Sequence, residues 1–418
     1  MTKPVRKKPS FRARMRKLMM YFLPKSVRAR LFRKMILLKA EPPEGFIFKI
    51  AETEDELTQA FALLHDSYVS MRLMDPHPSG MRITKYHALP STTTLIAVKD
   101  GKVAATVSLV RSNPFGLPCE KLYDIDFLKI KRARIAEVSA LAISPKYSGS
   151  NGELLWPMLK FMYEYSTRYF GLDYYVMVVH PEWFEFYDSI LFFKKFSKKK
   201  VSRYDFVNGA PAQGGFLNLR HFHFHSEFAY GRNDENKNLF RYMTELSFET
   251  FHFPKRKYAS VSDPVMTPKL FDHFFNKVTD GFDAFTEIER SYLASLYKTD
   301  EFRKVLPITG PMTNLELERS LRFDVDCRAQ LLTSPTNYLE VLIKSASKTG
   351  VGAIMHRKIR FNTEYEIEIQ IGRFDVANLA VVPVWLNEDG SCGFAILKSS
   401  SNWNLFIENL ERDLTKAG

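Results

Sequence analysis

Cysteine is scarce: only Cys119, Cys327 and Cys392 occur in 418 residues. An odd, widely spaced trio argues against a disulfide framework and against a Cys-built zinc site, and points to a reducing compartment. Also missing is any run near the roughly 20 apolar residues that a membrane-crossing helix needs. A third absence is local: residues 1–40 hold 14 bases and no acid. The net charge of +13 therefore belongs to this segment, because the rest of the chain balances 46 bases against 47 acids. A neutral body disfavours a basic fold that reads nucleic acid.

What is present is a globular composition, 45% hydrophobic and 26% charged, in a chain too long for one ordinary core. Four segments are expected: a basic amphipathic arm (1–44), an α+β domain (45–235), a helical connector (236–312) and a β-rich domain (313–418). In the arm, Met15, Leu18, Met19 and Phe22 recur at helical spacing, as do Val27, Leu31, Met35 and Leu38 after a break at Pro24. Two such helices fit an anionic leaflet, each Lys or Arg adding about 1 kcal/mol near the surface. They equally fit packing on the body with a solvated basic face. Leu18–Leu23 is short for a signal-peptide core, and no small-residue cleavage site follows it. The expected location is cytoplasmic, with peripheral attachment to the inner membrane if the arm docks there.

From Phe46 strands and helices alternate. The pattern predicts a helix over Asp55–Tyr68, a hairpin of Thr94–Val98 and Val103–Val110 about the Asp100-Gly101 turn, and a strand over Arg134–Ile143. A helix over Leu154–Phe170, an apolar strand over Leu172–His180 and a short helix over Glu182–Leu191 follow. The period of two puts Glu137 and Ser139 on one strand face. A carboxylate among apolar neighbours is costly unless paired or working, so Glu137 is either a general base or the structural partner of Arg82 or Arg132. His180 closes a strand where a cleft would open, either positioning a substrate or capping the strand. His221, His223 and His225 alternate with Phe222 and Phe224. This reads as a polar strand face with the rings buried, and no metal site is expected.

The segments His65-Asp66-Ser67-Tyr68-Val69, Pro78-Ser79-Gly80-Met81-Arg82-Ile83-Thr84 and Tyr86-His87-Ala88-Leu89-Pro90 lead a series of ordered blocks. Thr106–Val110, Gly116-Leu117-Pro118, Ala136–Ala142, His180-Pro181, Phe186-Tyr187 and Val207–Ala212 complete it. Over roughly residues 46–220 this series resembles the FeeM-type N-acyl amino acid synthases, which share the GNAT acyltransferase fold with acyl-homoserine-lactone synthases. The resemblance implies transfer of a fatty acyl group from acyl carrier protein to the amino group of an amino acid. It makes Tyr187, otherwise read as an aromatic core residue, the acid that protonates the leaving thiolate; Glu137 is then the base, and Ser139, on the same strand face, a hydrogen-bonding group facing the cleft. Arg82, His87 and Thr93 in the loop Arg82–Thr94, with His180, are the expected acceptor-binding residues, Arg82 gripping a carboxylate bidentately. Gly149, in the turn Pro145–Gly152, stands where GNAT enzymes hold a cofactor phosphate; its spacing departs from that for coenzyme A and fits the phosphopantetheine arm of a carrier protein. No tightly bound cofactor is expected. Relatives with acyl-lactone activity place an arginine near His65, and its absence here argues against lactone synthesis.

From Asn314 about six strands and a closing helix (Asn402–Leu414) suggest a small barrel that resembles a PilZ domain. Such domains bind cyclic di-GMP through an RxxxR pair and an Asx-x-Ser-x-x-Gly turn. Here Arg319 and Arg322 are three apart, Ser345 replaces the Asx residue, and Ser347 and Gly350 remain. This degraded motif predicts weak or absent cyclic di-GMP binding. A rival to the enzyme is a non-catalytic signalling adaptor, in which the transferase fold holds lipid or acyl carrier protein.

Overall fold

A computed structural model of the protein describes residues 23–129, 133–148, 152–197, 201–204, 207–255, 258, 263, 266–297, 300–306, 322–334, 337–355, 357, 359–372 and 374–415. The first expected arm helix, Arg132, Gly149 and Arg319 lie outside the described residues.

The second arm helix is present as α1 (Lys25–Lys34). Phe32, Ile36 and Leu38 turn inward, whereas Val27, Leu31 and Met35 face out. Strand β1 (Ile47–Ile50) and helix α2 (Glu54–Ser70) follow, α2 opening on a capping box of Thr53 and Glu56. Strands β2 (Thr92–Lys99) and β3 (Lys102–Arg111) form the expected hairpin. Both turn residues have positive φ, 50° at Asp100 and 70° at Gly101, as a two-residue primed turn demands. Then come β4 (Ile135–Ile143), α3 (Leu155–Tyr169), β5 (Tyr174–Val179), α4 (Pro181–Leu191), β6 (Lys194–Lys195), β7 (Val201–Tyr204) and β8 (Ala210–Asn218). The sheet runs β1-β2-β3-β4-β5-β8-β6, with β7 also on β8; β4 and β5 are parallel and the other pairs antiparallel. This is the mixed α+β architecture the sequence predicts.

Two expectations fail. The histidine segment is not a strand: it lies in helix α5 (Leu219–Tyr230), started by the Asn218 side chain accepting from the His221 amide at 3.2 Å. The cap and the inward set Leu219, Phe222, Ser226 and Tyr230 override the local alternation, leaving all three histidines exposed. Nor are the helices of the expected helical connector long or continuous. Its first is only α6 (Leu239–Thr244). The second breaks into Pro268–Phe271, a π turn over Asp272–Lys277, a 3-10 turn over Gly281–Ala284 and α7 (Glu287–Leu296), restarted by a Thr286/Glu289 capping box. The breaks let Phe271, Phe274, Phe275 and Phe282 all bury against the α2 face of the sheet. The opposite face is covered by α3, α4, α5, α6 and Phe251. The connector is thus folded onto the first domain.

Six strands, β9 (Arg322–Ser334), β10 (Asn337–Ser347), β11 (Gly350–Ile354), β12 (Tyr365–Gln370), β13 (Val376–Leu386) and β14 (Ser391–Ser399), close a barrel in the order β10-β11-β14-β13-β12-β9. Helix α8 (Ser401–Thr415) plugs it with Trp403, Phe406 and Ile407. Asp326 on β9 pairs with Arg134, immediately before β4, and with Lys344 at 3.1 Å. A cavity of about 540 Å³ lies along this junction, lined by Arg111, Arg134, Tyr292, Arg322 and Lys344 among others.

Candidate active site

The site exists because two parallel strands part company. β4 and β5 pair at Ile135–Tyr174, Ala136–Tyr175 and Glu137–Val176 and nowhere beyond. At the same level β4 has a register shift against β3, and Ala140 adopts φ 59°, a left-handed conformation a side-chain-bearing residue rarely takes. The bulge turns β4 away from β5. Among the described residues the backbone of Val138–Leu141 therefore has no strand partner on that side, and the gap widens into a cavity of about 430 Å³.

Glu137 occupies the last paired rung and is only 3% exposed. Its Oε2 accepts from the Cys119 amide at 2.7 Å, and the Cys119 thiol also hydrogen-bonds to it. Burial pushes its pKa up to about 7; the two Cys119 donors oppose the rise, and Glu120 adds to it. No Lys or Arg among the described residues forms an ion pair with Glu137, and Arg82 is engaged elsewhere. A carboxylate poised near neutrality beside a cleft is the form a general base requires.

Tyr187 and Ser139 line the same cavity, as does His180. Tyr187 sits on α4, edge-on to Phe186 and Phe193, and burial pushes its phenol up to about 12, so it stays protonated at neutral pH. His180 is the N-cap of α4, its Nδ1 accepting from the Glu182 amide at 3.4 Å. It therefore caps and lines the site at once. Arg82 stands behind the wall: its guanidinium lies 4.3 Å from the Tyr68 ring centroid and hydrogen-bonds to the Tyr68 hydroxyl, and Tyr68 itself lines the cavity. His87 and Thr93 are not brought there. His87 is buried edge-on to Phe61, its Nδ1 accepting from the Thr84 amide at 3.0 Å, and burial pulls its pKa down to about 4. Thr93 donates to Asp263 and accepts from Arg111 at 2.8 Å. Both belong to the packing of the connector and the β2 strand.

Sequence reasoning missed Tyr68, Cys119, Ala140 and Tyr204. The Tyr204 hydroxyl donates to the Pro118 carbonyl at 3.1 Å, which pins β7 over the 3-10 turn Pro118–Lys121 that holds Cys119. Burial and the nearby Glu137 carboxylate raise the Tyr204 pKa far above its ordinary value. Tyr68 and Tyr204 are unremarkable in sequence; only the fold brings them to one carboxylate.

Residues 59–216 match the family model described as N-acyl amino acid synthase FeeM. That match marks an acyltransferase domain. Among solved structures, the N-acyl amino acid synthase FeeM from uncultured soil microbes is 22% identical, with 44% of this chain and 96% of that chain covered and a TM-score of 0.36. The acyl-homoserine-lactone synthase LasI is 15% identical, covering 50% and 98%, with a TM-score of 0.34. The spermidine/spermine N-acetyltransferase SpeG from Vibrio cholerae is 13% identical, covering 44% and 100%, with a TM-score of 0.31. No curated protein matches the chain.

Proposed function

We propose that the protein transfers a fatty acyl group from the phosphopantetheine thioester of acyl carrier protein to the amino group of an amino acid. The observation that carries this reading is the parting of β4 and β5 directly after a buried carboxylate with pKa about 7, opening onto an apolar cavity. The pantetheine arm enters the gap as an added strand, bonding to the unpaired β4 backbone. Glu137 removes a proton from the amino acid ammonium, directly or through a water. The freed amine attacks the thioester carbonyl, forming the C–N bond; the β4 amides receive the oxyanion. As the C–S bond breaks, the Tyr187 phenol protonates the departing thiolate and recovers a proton through water from the intermediate's ammonium nitrogen, which leaves the neutral amide, while Glu137 returns its own proton to solvent. Arg82, beside Tyr68, attracts the acceptor carboxylate. Incubating the purified protein with acyl-loaded carrier protein and all twenty amino acids, then analysing products by mass spectrometry, tests the reading. N-acyl amino acids support it; hydrolysed thioester or unreacted donor alone overturns it.

The barrel acts in this proposal as a PilZ-like docking or regulatory domain. Support comes from the Asp326–Arg134 pair, which ties β9 to the entry of the strand carrying Glu137. Its cyclic di-GMP-like groups are already engaged: Arg322 donates to Ser345 at 2.8 Å, and the Ser347 hydroxyl accepts from the Gly350 amide at 3.0 Å and donates to its carbonyl at 2.9 Å. Weak nucleotide binding follows from that engagement.

The arm supports peripheral attachment to anionic lipid. Its inner side pairs with α4, through Lys25 to Asp188 at 2.6 Å, Arg28 to Glu185, and Arg33 to the Ser189 carbonyl at 2.8 Å. The outer side offers Val27, Leu31 and Met35 with Arg30 and Lys34, all exposed. Co-flotation with anionic vesicles should fall several-fold in a Leu31→Glu/Met35→Glu variant, and uncharged vesicles should bind neither form. Equal flotation of variant and parent would remove the membrane role.

A further inference from the structure

The cavity beside Glu137 opens to solvent where its lining residues are exposed: Trp183 is 63% exposed, and Met71 and Glu182 are exposed too. Away from these, Tyr175, Leu217, Phe222 and Met243 belong to its buried wall, each at most 5% exposed. Three of these belong to β5, β8 and α5, whose positions are fixed by the sheet and its cover. Met243 differs. It comes from α6, in the connector, whereas the other three come from the first domain; like Leu217 and Phe222 it lies outside residues 59–216.

Its position is nevertheless firmly held. Lys160, 1% exposed on α3, donates to the Met243 carbonyl at 3.2 Å and pairs with Glu164 at 2.7 Å, while Glu164 also binds Arg168 at 3.1 Å. The Lys160 ammonium also stands 5.4 Å from the Phe248 ring centroid. Asn238 caps the start of α6 by accepting from the Arg241 amide at 2.9 Å. A buried ion pair thus fastens the backbone of one apolar residue in the buried wall of the cavity.

We infer that Met243 is the stop that sets acyl-chain length, and that the donor is a fatty chain of medium-to-long length; this rests on the proposed acyl transfer. A methylene takes about the space of a water in the liquid, roughly 30 Å³. The 430 Å³ cavity then holds about 14 such groups, some of them belonging to the thioester end. A thioether is a deformable wall, so the boundary is graded, with neighbouring chain lengths accepted on either side of the best one.

The test uses the full-length protein, carrier protein loaded with an equimolar series from octanoyl to stearoyl, and displacement of a fluorescent fatty acid by the same chains. Met243→Ala should move both the product and the binding optimum to chains about two carbons longer, since it vacates the space of a few heavy atoms. Met243→Trp should move both optima shorter, with chains just above the new limit losing about tenfold per excluded methylene. Leu73→Ala, at the cavity mouth, should leave the optimum in place. Thermal melts identify any variant that fails to fold, and the oppositely directed substitution then carries the test. Shifted binding without transfer by any form would keep the length stop and overturn the transferase reading. Transfer with an unmoved optimum in both Met243 variants would overturn the stop and keep the transferase. Absence of both chain binding and transfer in the parent would overturn both.

Discussion

Glu137→Gln should lower acyl transfer by about 10²–10⁴-fold, the usual share of a positioned general base. The amide keeps the shape of the carboxyl and an oxygen for the Cys119 amide, but accepts no proton from an ammonium. Binding of the acyl chain should be retained, because the cavity wall is otherwise apolar at this rung. Stability should move the opposite way. The folded pKa of Glu137 lies above its unfolded value, about 7 against 4.5. The folded state therefore favours the protonated form, and ionising the group costs stability progressively as pH rises from the unfolded to the folded value, with the full cost above it. Glu137→Gln removes that cost, so at pH above 7 the inactive variant should melt higher than the parent. A variant that loses activity and melts lower would indicate damage to the fold instead.

Asp263→Ala should be the most destabilising single change in the connector. Asp263 is 2% exposed and accepts from the Thr93 hydroxyl and, at 2.6 Å, from the Tyr165 hydroxyl; Arg111 stands 3.7 Å away. Its amide donates to the Pro90 carbonyl at 2.7 Å. Arg111 is itself only 4% exposed and lies 3.8 Å from the Phe170 ring centroid. Removing the carboxylate takes a counter-charge from a buried guanidinium and a shared acceptor from two buried hydroxyls, which costs about 3–5 kcal/mol. Calorimetry should show the transition of the first domain falling by on the order of 10 °C. A fall of only a degree or two would mean that the connector is held by its aromatic contacts alone.

Most of the fold is legible in the sequence where local and tertiary preferences agree. The Asp100-Gly101 hairpin, the β4 strand and the helix that carries Tyr187 lie within a few residues of their expected limits, and the barrel has the six strands expected. Legibility ends where an outside contact decides. The alternation at 221–225 looks like a strand, yet the Asn218 cap and four inward residues make a helix. The stripe Val27, Leu31 and Met35 has helical spacing but faces away from the body, because ion pairs to α4 hold the other side of α1.

The site divides in the same way. Glu137 stands out because a carboxylate on an apolar strand is unusual, and the cleft does form beside it. His87 and Thr93, in the loop expected to bind the acceptor, are instead turned into packing around Phe61 and Asp263. The Ala140 bulge leaves no compositional mark, since alanine is an ordinary strand residue and the strain is imposed by the divergence of β4 from β5.

The central claim is that the carboxylate at the parting of the two strands is the base for an acyl transfer. Its most direct test is the pH dependence of kcat/KM, which reports ionisations of the free protein. With carrier-bound acyl donor and a saturating amino acid, the rate should rise with pH through a single ionisation centred near 7, and that rise should vanish in Glu137→Gln. A profile that is flat across this range, or one that keeps the same midpoint in the variant, would contradict the assignment.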